Sequence, residues 1–189
     1  MKEFFATCPK GLEYLLVDEL KALGAADVHE ALAGVHFGGE LEVGYRACLW
    51  SRLASRILMP LAQFDVPDAD ALYAGARAID WPAHLDIATS FAVDAVGSVQ
   101  GLTHSQYAAL RVKDAIVDAF RDATGERPNV DTENPGLRLN LVLRRGRAIV
   151  GINLSGPPLH QRGYRKGAGL APLKENLAAA MLLRAGWPQ

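Results

Sequence analysis

The stretch FFATCPKGLEYLLVDELKALGAADVHEALAGVHF, residues 4–37, reads as strand, helix, strand, strand. Phe4-Phe5-Ala6-Thr7-Cys8 is a short apolar run stopped by Pro9 and Gly11, as a strand requires. Leu12, Leu15, Leu16, Leu20 and Leu23 then recur at helical spacing until Gly24 supplies a stop, so one face of this helix packs on a sheet. Val28 to Ala31 and Val35 to Phe37 form a hairpin-like pair around Gly34. A second helix follows near Leu41–Leu53, then an apolar run from Ile57 to Phe64. Strand, helix, strand, strand, helix, strand is the split βαβ, ferredoxin-like pattern, assigned here to residues 1–64.

A boundary follows at Asp65–Asp70, where Pro67 and three acids interrupt the apolar pattern. The segment 65–155 reads as a second α/β unit. It holds a helix around Ala69–Ile79, a strand in Ser90–Val96, and a long helix that Gly125 ends. Thr103 and Gln106 have capping-box spacing at the start of that helix, and Ala109, Val112, Ile116, Val117 and Phe120 form its buried stripe. Arg111, Lys113, Asp114, Asp118 and Arg121 lie mostly on the opposite face, a pattern of alternating charge that solvent satisfies. Leu137 to Arg144 alternates with period two, so its leucines face a core while Arg138, Asn140 and Arg144 face away. Arg145-Gly146 makes a tight turn, and the return strand Ala148–Leu154 repeats the alternation. Residues 156–189 are a basic linker, Leu159-His160-Gln161-Arg162-Gly163-Tyr164-Arg165-Lys166, followed by a helix that Pro172 opens over Leu173–Ala185 and Gly186 closes.

With 189 residues, half of them hydrophobic, the chain is long enough to bury a core. No apolar run approaches the roughly 18 residues of a membrane span, and Met1–Phe5 lacks the layout of a signal peptide, so the expected location is the cytoplasm. Cys8 and Cys48 have no partners at metal-ligand spacing, which predicts reduced thiols and no metal. The net charge of −1 conceals an asymmetry. Residues 1–100 carry seven Lys/Arg against fourteen Asp/Glu, and from Asn134 onward nine cations face only Glu175. That basic end is either the footprint of a polyanion-binding surface or a solvating face. Arg144, Arg145 and Arg147 fit a phosphate contact or charges that guard a hairpin edge. Tyr164 between Arg162 and Arg165 suits a base stacked between phosphate contacts, or a ring docked on a neighbouring domain. His104 and His160 read as a helix-start residue and a linker contact, not as catalytic bases.

Three motifs carry a resemblance over essentially the whole chain: CPKGLEYLLVDEL (Cys8–Leu20), HSQYAALRVKDAIVDAF (His104–Phe120), and LHQRGYR followed by APLKENLAAAMLLRAGW (Leu159–Arg165 and Ala171–Trp187). Together the sequence resembles the N-terminal part of the bacterial large-subunit ribosomal RNA guanine methyltransferases that carry a THUMP domain. The resemblance implies a ferredoxin-like domain, then a THUMP-type α/β RNA-binding domain, then the entry to a Rossmann-like methyltransferase domain outside this chain. It also implies S-adenosylmethionine as cofactor of the full-length enzyme, methylation of a guanine exocyclic amine in 23S ribosomal RNA, and the downstream catalytic domain as a partner. On this reading Lys113, Arg138, Arg144, Arg145, Arg147, Arg162, Tyr164, Arg165 and Lys166 are the RNA contacts.

No catalytic, cofactor-binding or metal-binding residue is assigned in the chain. A methyltransferase of this type needs a glycine-rich cofactor turn and an Asn/Asp-Pro-Pro-aromatic loop. Asn134-Pro135-Gly136 leads into a hairpin strand, and Gly156-Pro157-Pro158 lacks the acceptor and the aromatic, so the chain alone is expected to be inactive. Two alternatives stay open on the residues: the THUMP module of a transfer-RNA methyltransferase, and a stand-alone RNA-binding adaptor. The apolar residues of the last helix ask for a partner surface, which weighs against the adaptor.

Overall fold

The computed structural model describes residues 1–165 and 172–187. Its chain divides into two compact units, Met1–Met59 with Leu154–Gln189, and Pro60–Asn153. The first unit is built from β1 (Lys2–Thr7), α1 (Glu13–Ala22), β2 (Ala26–Ala31), β3 (Gly34–Gly39), α2 (Leu41–Trp50) and the start of β4 (Arg56–Asp65). Its strands run in the order β2-β3-β1-β4, each antiparallel to its neighbour. This is the ferredoxin-like arrangement that the element order predicts.

Alternation along the strands sorts the side chains. Phe4, Ala6, Val35 and Phe37 are buried with Leu16 and Leu20 of α1 and Ala47 of α2, and the Phe4 and Phe37 rings stack at 5.0 Å. A Cβ on Gly44 of α2 would strike Phe4, which places α2 on this same sheet face. Each large apolar side chain removed from water here contributes about 1.5–3 kcal/mol. Contrary to the expected hairpin around Gly34, the β2–β3 turn is Leu32-Ala33, and Gly34 is already paired with Thr7 and Ala31. Ala33 sits at φ 58; its N–H donates to Glu13 Oε1 at 3.1 Å, which holds the left-handed turn. The hydrogen bonds Glu13 accepts keep its carboxyl below the usual range.

The second unit contains α3 (Ala69–Arg77), a short 3₁₀ turn at Trp81–Ala83, β5 (Phe91–Gly97), α4 (Ser105–Thr124), β6 (Leu137–Arg144) and β7 (Arg147–Asn153). β5 runs parallel to β6, and β6 antiparallel to β7. The period-two reading of this hairpin holds: Leu139, Leu141, Leu143, Ala148, Val150 and Ile152 are buried. Sequence pattern gives no hint of Trp81, which is fully buried and donates its Nε1–H to Ala76 O at 2.8 Å.

The last helix, α5 (Glu175–Arg184), belongs to the first unit. It starts after Pro172 by three residues, with Lys174 as N-cap. Ala180 and Asn176 are buried, Asn176 Nδ2 donates to Ser55 Oγ at 3.0 Å, and the Arg184 guanidinium lies over the Tyr14 ring of α1. The partner surface that pattern alone does not supply is therefore partly this chain's own first unit.

Both cysteines are free. Burial pushes the Cys8 thiol up to about 12 and the Cys48 thiol up to about 11, so both stay protonated at neutral pH. Among the described residues no group of three or more His, Cys, Asp or Glu could hold a metal ion, and no helix is long and apolar enough to cross a membrane.

Candidate nucleic-acid interface

At the carboxyl ends of β5 and β6 the second unit gathers several positive features. Gly97 pairs with Leu143, so the loop 98–104 and the β6–β7 tip share one end of this unit's sheet. The tip is a two-residue turn, Arg145 at φ 52 and Gly146 at φ 75, the geometry whose twist matches a hairpin. Arg144 and Arg147 form its last cross-strand pair. All three arginines are exposed. Arg147 Nε meets Asp65 at 3.3 Å, and the turn is tied down by Val66 N–H, which donates to Gly146 O at 2.7 Å. Arg144 and Arg145 show no ion pair or side-chain hydrogen bond among the described residues, so their guanidiniums face outward with their donors unspent.

The expected Thr103–Gln106 capping box is absent. The N-cap of α4 is His104, and its side chain makes no capping bond, because the turn Val99–Leu102 carries Thr103 past the capping position. A twenty-residue helix with such an end presents partial positive charge toward solvent. By contrast α3 is capped by Asp68, which accepts from Ala71 N–H at 2.8 Å. Exposed arginines and an uncapped helix start at one end of a sheet suit phosphate groups.

The other candidate residues are dispersed. Arg138 lies nearer the start of β6, where it spans both Asp94 carboxylate oxygens at 3.2 Å and the Thr132 and Glu133 carbonyls. Lys113 is on the outer face of α4, ion-paired with Asp114, beside a cavity of about 590 Å³. That partly solvated face also carries pairs between α3 and α4: Arg111 with Asp70, Arg77 with Asp122, Tyr73 with Asp118.

In the first unit, the segment Leu159–Arg165 is anchored to its own chain. Arg162 donates from Nη1 to Leu49 O at 3.1 Å and from Nη2 to Ser51 O at 2.9 Å, which satisfies carbonyls at the end of α2. Glu19 of α1 completes this corner. Its nearly buried carboxylate accepts from Ser51 Oγ, Arg52 N–H and Leu53 N–H. Nothing in the spacing of Glu19 marks this role. Arg165 donates to Leu173 O and pairs with Glu175. Tyr164 stands clear, 66% exposed. Lys166 lies outside the described residues.

An S-adenosylmethionine site requires a glycine turn that opens space at the end of a parallel strand. Gly97 occupies such an end, yet a Cβ there would stand 2.1 Å from Leu143 O. Gly97 serves the close passage of two backbones and does not fit the cofactor, so no step of methyl transfer is assigned to it.

Residues 3–58 match the family described as the RlmL ferredoxin-like domain, and residues 66–153 match the THUMP domain family. The chain is 57% identical over 186 residues to the ribosomal RNA large subunit methyltransferase K/L of Syntrophotalea carbinolica, and the match covers 98% of this chain and 26% of that protein. It is 54% identical over 187 residues to the protein of the same name from Aeromonas salmonicida, with 99% and 26% covered. The chain thus spans about a quarter of the length of the curated relatives it matches. Among solved structures, SMU.472 complexed with SAH superimposes with a TM-score of 0.87 at 30% identity, covering 98% of this chain and 49% of that one.

Proposed function

Because this chain belongs to the family that joins an RlmL ferredoxin-like domain to a THUMP domain, we propose that it is the RNA-holding front part of a cytoplasmic 23S ribosomal RNA methyltransferase. The reaction we assign to the whole protein is transfer of a methyl group from S-adenosylmethionine to a guanine N2. The chemistry belongs to a domain beyond these residues, and this chain's part is to bind and orient the RNA.

The observation that carries the reading is the 57% identity across 98% of the chain to a large-subunit ribosomal RNA methyltransferase K/L. The hairpin tip supports it physically. Among the described residues Arg144 and Arg145 have no side-chain partner and Arg147 has an exposed ion pair, and α4 starts uncapped after the loop at the same end of the sheet. Exposed ion pairs cost little to exchange for a phosphate. Lys113, Arg138, Arg162 and Arg165 are assigned lesser contributions, since each already has a partner in the chain, while Lys166 lies outside the described residues.

Fluorescence titration of the chain with fragments of 23S ribosomal RNA and with transfer RNA tests the proposal. Tighter binding to a ribosomal fragment is the expected result. Equal or better binding to transfer RNA would instead support a transfer-RNA enzyme. With S-adenosylmethionine and unmodified ribosomal RNA, the chain by itself should transfer no methyl groups above background.

A further inference from the structure

The sheet of the first unit has a second face, and that face carries rings. Phe4 and Ala6 of β1 point into the core, so Phe5 and Thr7 point away from it. Phe5 pairs across β1–β3 with His36, and His36 pairs across β3–β2 with His29. The three rings are in contact in sequence: Phe5 to His36 at 4.7 Å with 52° between their planes, and His36 stacked on His29 at 5.3 Å with 19° between their planes. His29 and His36 are exposed and Phe5 is half-buried. The helices α1 and α2 pack on the opposite face, and among the described residues His29 and His36 stay exposed.

The backbone beneath the rings is shaped to them. A Cβ on Gly34 would lie 2.4 Å from Phe5 Cζ, so the phenyl ring lies down across β3 only because that position is bare. Two residues beyond His36, Gly38 is bare as well, and a Cβ there would meet nothing nearer than the Met1 side chain at 3.5 Å. His36 therefore projects between two low, buried positions, one covered by the Phe5 ring and the other next to the Met1 side chain. His29 is fixed in orientation by Nδ1–H, which donates to Asp27 O at 2.9 Å.

The face offers little charge. Glu3 pairs with Gly38 and Arg56 pairs with Thr7, and the Arg56 guanidinium already donates to Gly156 O. Crowding by its neighbours, and then the nearness of His29, holds the His36 imidazole below its ordinary range against an opposing pull from Glu3, so it is a neutral ring at physiological pH. Neutral π faces on the two central strands of a four-stranded ferredoxin-like sheet are the arrangement that stacks unpaired bases.

We propose that Phe5, His36 and His29 form a stacking platform for two or three unpaired bases of single-stranded RNA. This goes beyond the function proposed above, which places RNA on the second unit, and rests on it only in taking the polymer to be RNA. The platform would grip a single strand while the hairpin arginines hold phosphates, so the two sites differ in what they demand of the ligand.

The test titrates the full chain with a fluorescein-labelled ten-nucleotide single-stranded RNA and with a blunt RNA duplex. Variants are His36→Ala, His36→Phe, Phe5→Ala and Phe5→Tyr, each checked for an unchanged thermal melt. His36→Ala and Phe5→Ala should weaken single-strand binding about 5- to 150-fold, the loss of one stacked base, with an unchanged salt slope and duplex binding within about twofold. His36→Phe and Phe5→Tyr should stay within about twofold of the parent on the single strand, because each keeps a ring. Because His36 is exposed, His36→Ala keeps the test valid if Phe5→Ala unfolds. Parent-like single-strand binding by His36→Ala overturns the proposal and leaves the face as a docking surface for protein. Equal loss on duplex, or His36→Phe as weak as His36→Ala, overturns it too. A variant with Arg144, Arg145 and Arg147 replaced by Ala runs alongside. If it alone loses RNA, the platform falls and the proposed function stands; if the parent binds neither RNA, both fall.

Discussion

The hairpin tip at Arg144–Arg147 and the segment Leu159–Arg165 carry the same kind of side chain and use it in opposite ways. Both are arginine-rich and both lie in the basic end of the sequence. At the tip, Arg144 flanks and Arg145 opens a two-residue turn, and both are exposed with no side-chain partner among the described residues. In the segment, Arg162 spends its guanidinium on the Leu49 and Ser51 carbonyls, and Arg165 spends its own on Leu173 O and Glu175. Charge in a sequence shows that a cation is present. Whether it is available depends on which acceptors the fold brings within about 3 Å.

The contrast is open to test, starting with the largest effect. Arg162→Ala should lower stability by about 1.5–3 kcal/mol, the usual worth of hydrogen bonds from a charged donor, seen as an earlier thermal transition, with the salt slope of RNA binding unchanged. A slope that falls while the melt stays in place would show that Arg162 serves phosphates instead. The triple variant of Arg144, Arg145 and Arg147 should do the reverse. Its melt should move by under about 0.5 kcal/mol in stability, while its salt slope falls by about 0.7–0.9 for every phosphate the variant no longer neutralises.

Gly146→Ala asks whether the tip must keep its shape. Nothing lies within 4 Å of the added Cβ, so the cost is conformational, about 1 kcal/mol for a left-handed residue. RNA affinity should drop with it if the arginines work as an arranged set. A smaller effect belongs to the first unit's ring face. The His36 imidazole titrates below its ordinary value of 6.5, so the unfolded chain binds the proton first. The stability this contributes is fully present above that value and is lost as the pH falls toward the folded-state pKa. Denaturant melts of the parent and of His36→Phe between pH 8 and pH 5 should show a shallower decline in the variant, and parallel declines would dismiss the effect.

Much of the fold was legible because burial follows periodicity. Leu16 and Leu20 on the first helix, the stripe through Val112 and Ile116, and Leu139 to Leu143 against Ala148 to Ile152 are buried where spacing puts them. Local chemistry was harder to read at the ends of elements. Thr103 has the spacing of a cap, but the path of the preceding turn puts His104 in that place. Gly34 looks like a turn residue, but a Cβ there would strike the Phe5 ring and the Ala6 carbonyl oxygen of the neighbouring strand. Glu19, Trp81 and Asn176 bond to groups a few to more than a hundred residues away, and no local pattern encodes such partners.

By itself the sequence determined the order of elements, the faces they bury and the family, since each depends on residues close together along the chain or on motifs in a fixed order. Tertiary structure decided where the charge goes. Along the chain the first half is acidic and the end basic, yet the end folds back on the first unit. That unit then holds eleven Lys/Arg against nine Asp/Glu, and the second unit nine against twelve. The acidic first half and the basic end of the sequence therefore do not map onto the two units. Electrostatic interaction depends on distance through space and on which hydrogen-bond acceptors each cation has already met, and neither is a property of position in the chain.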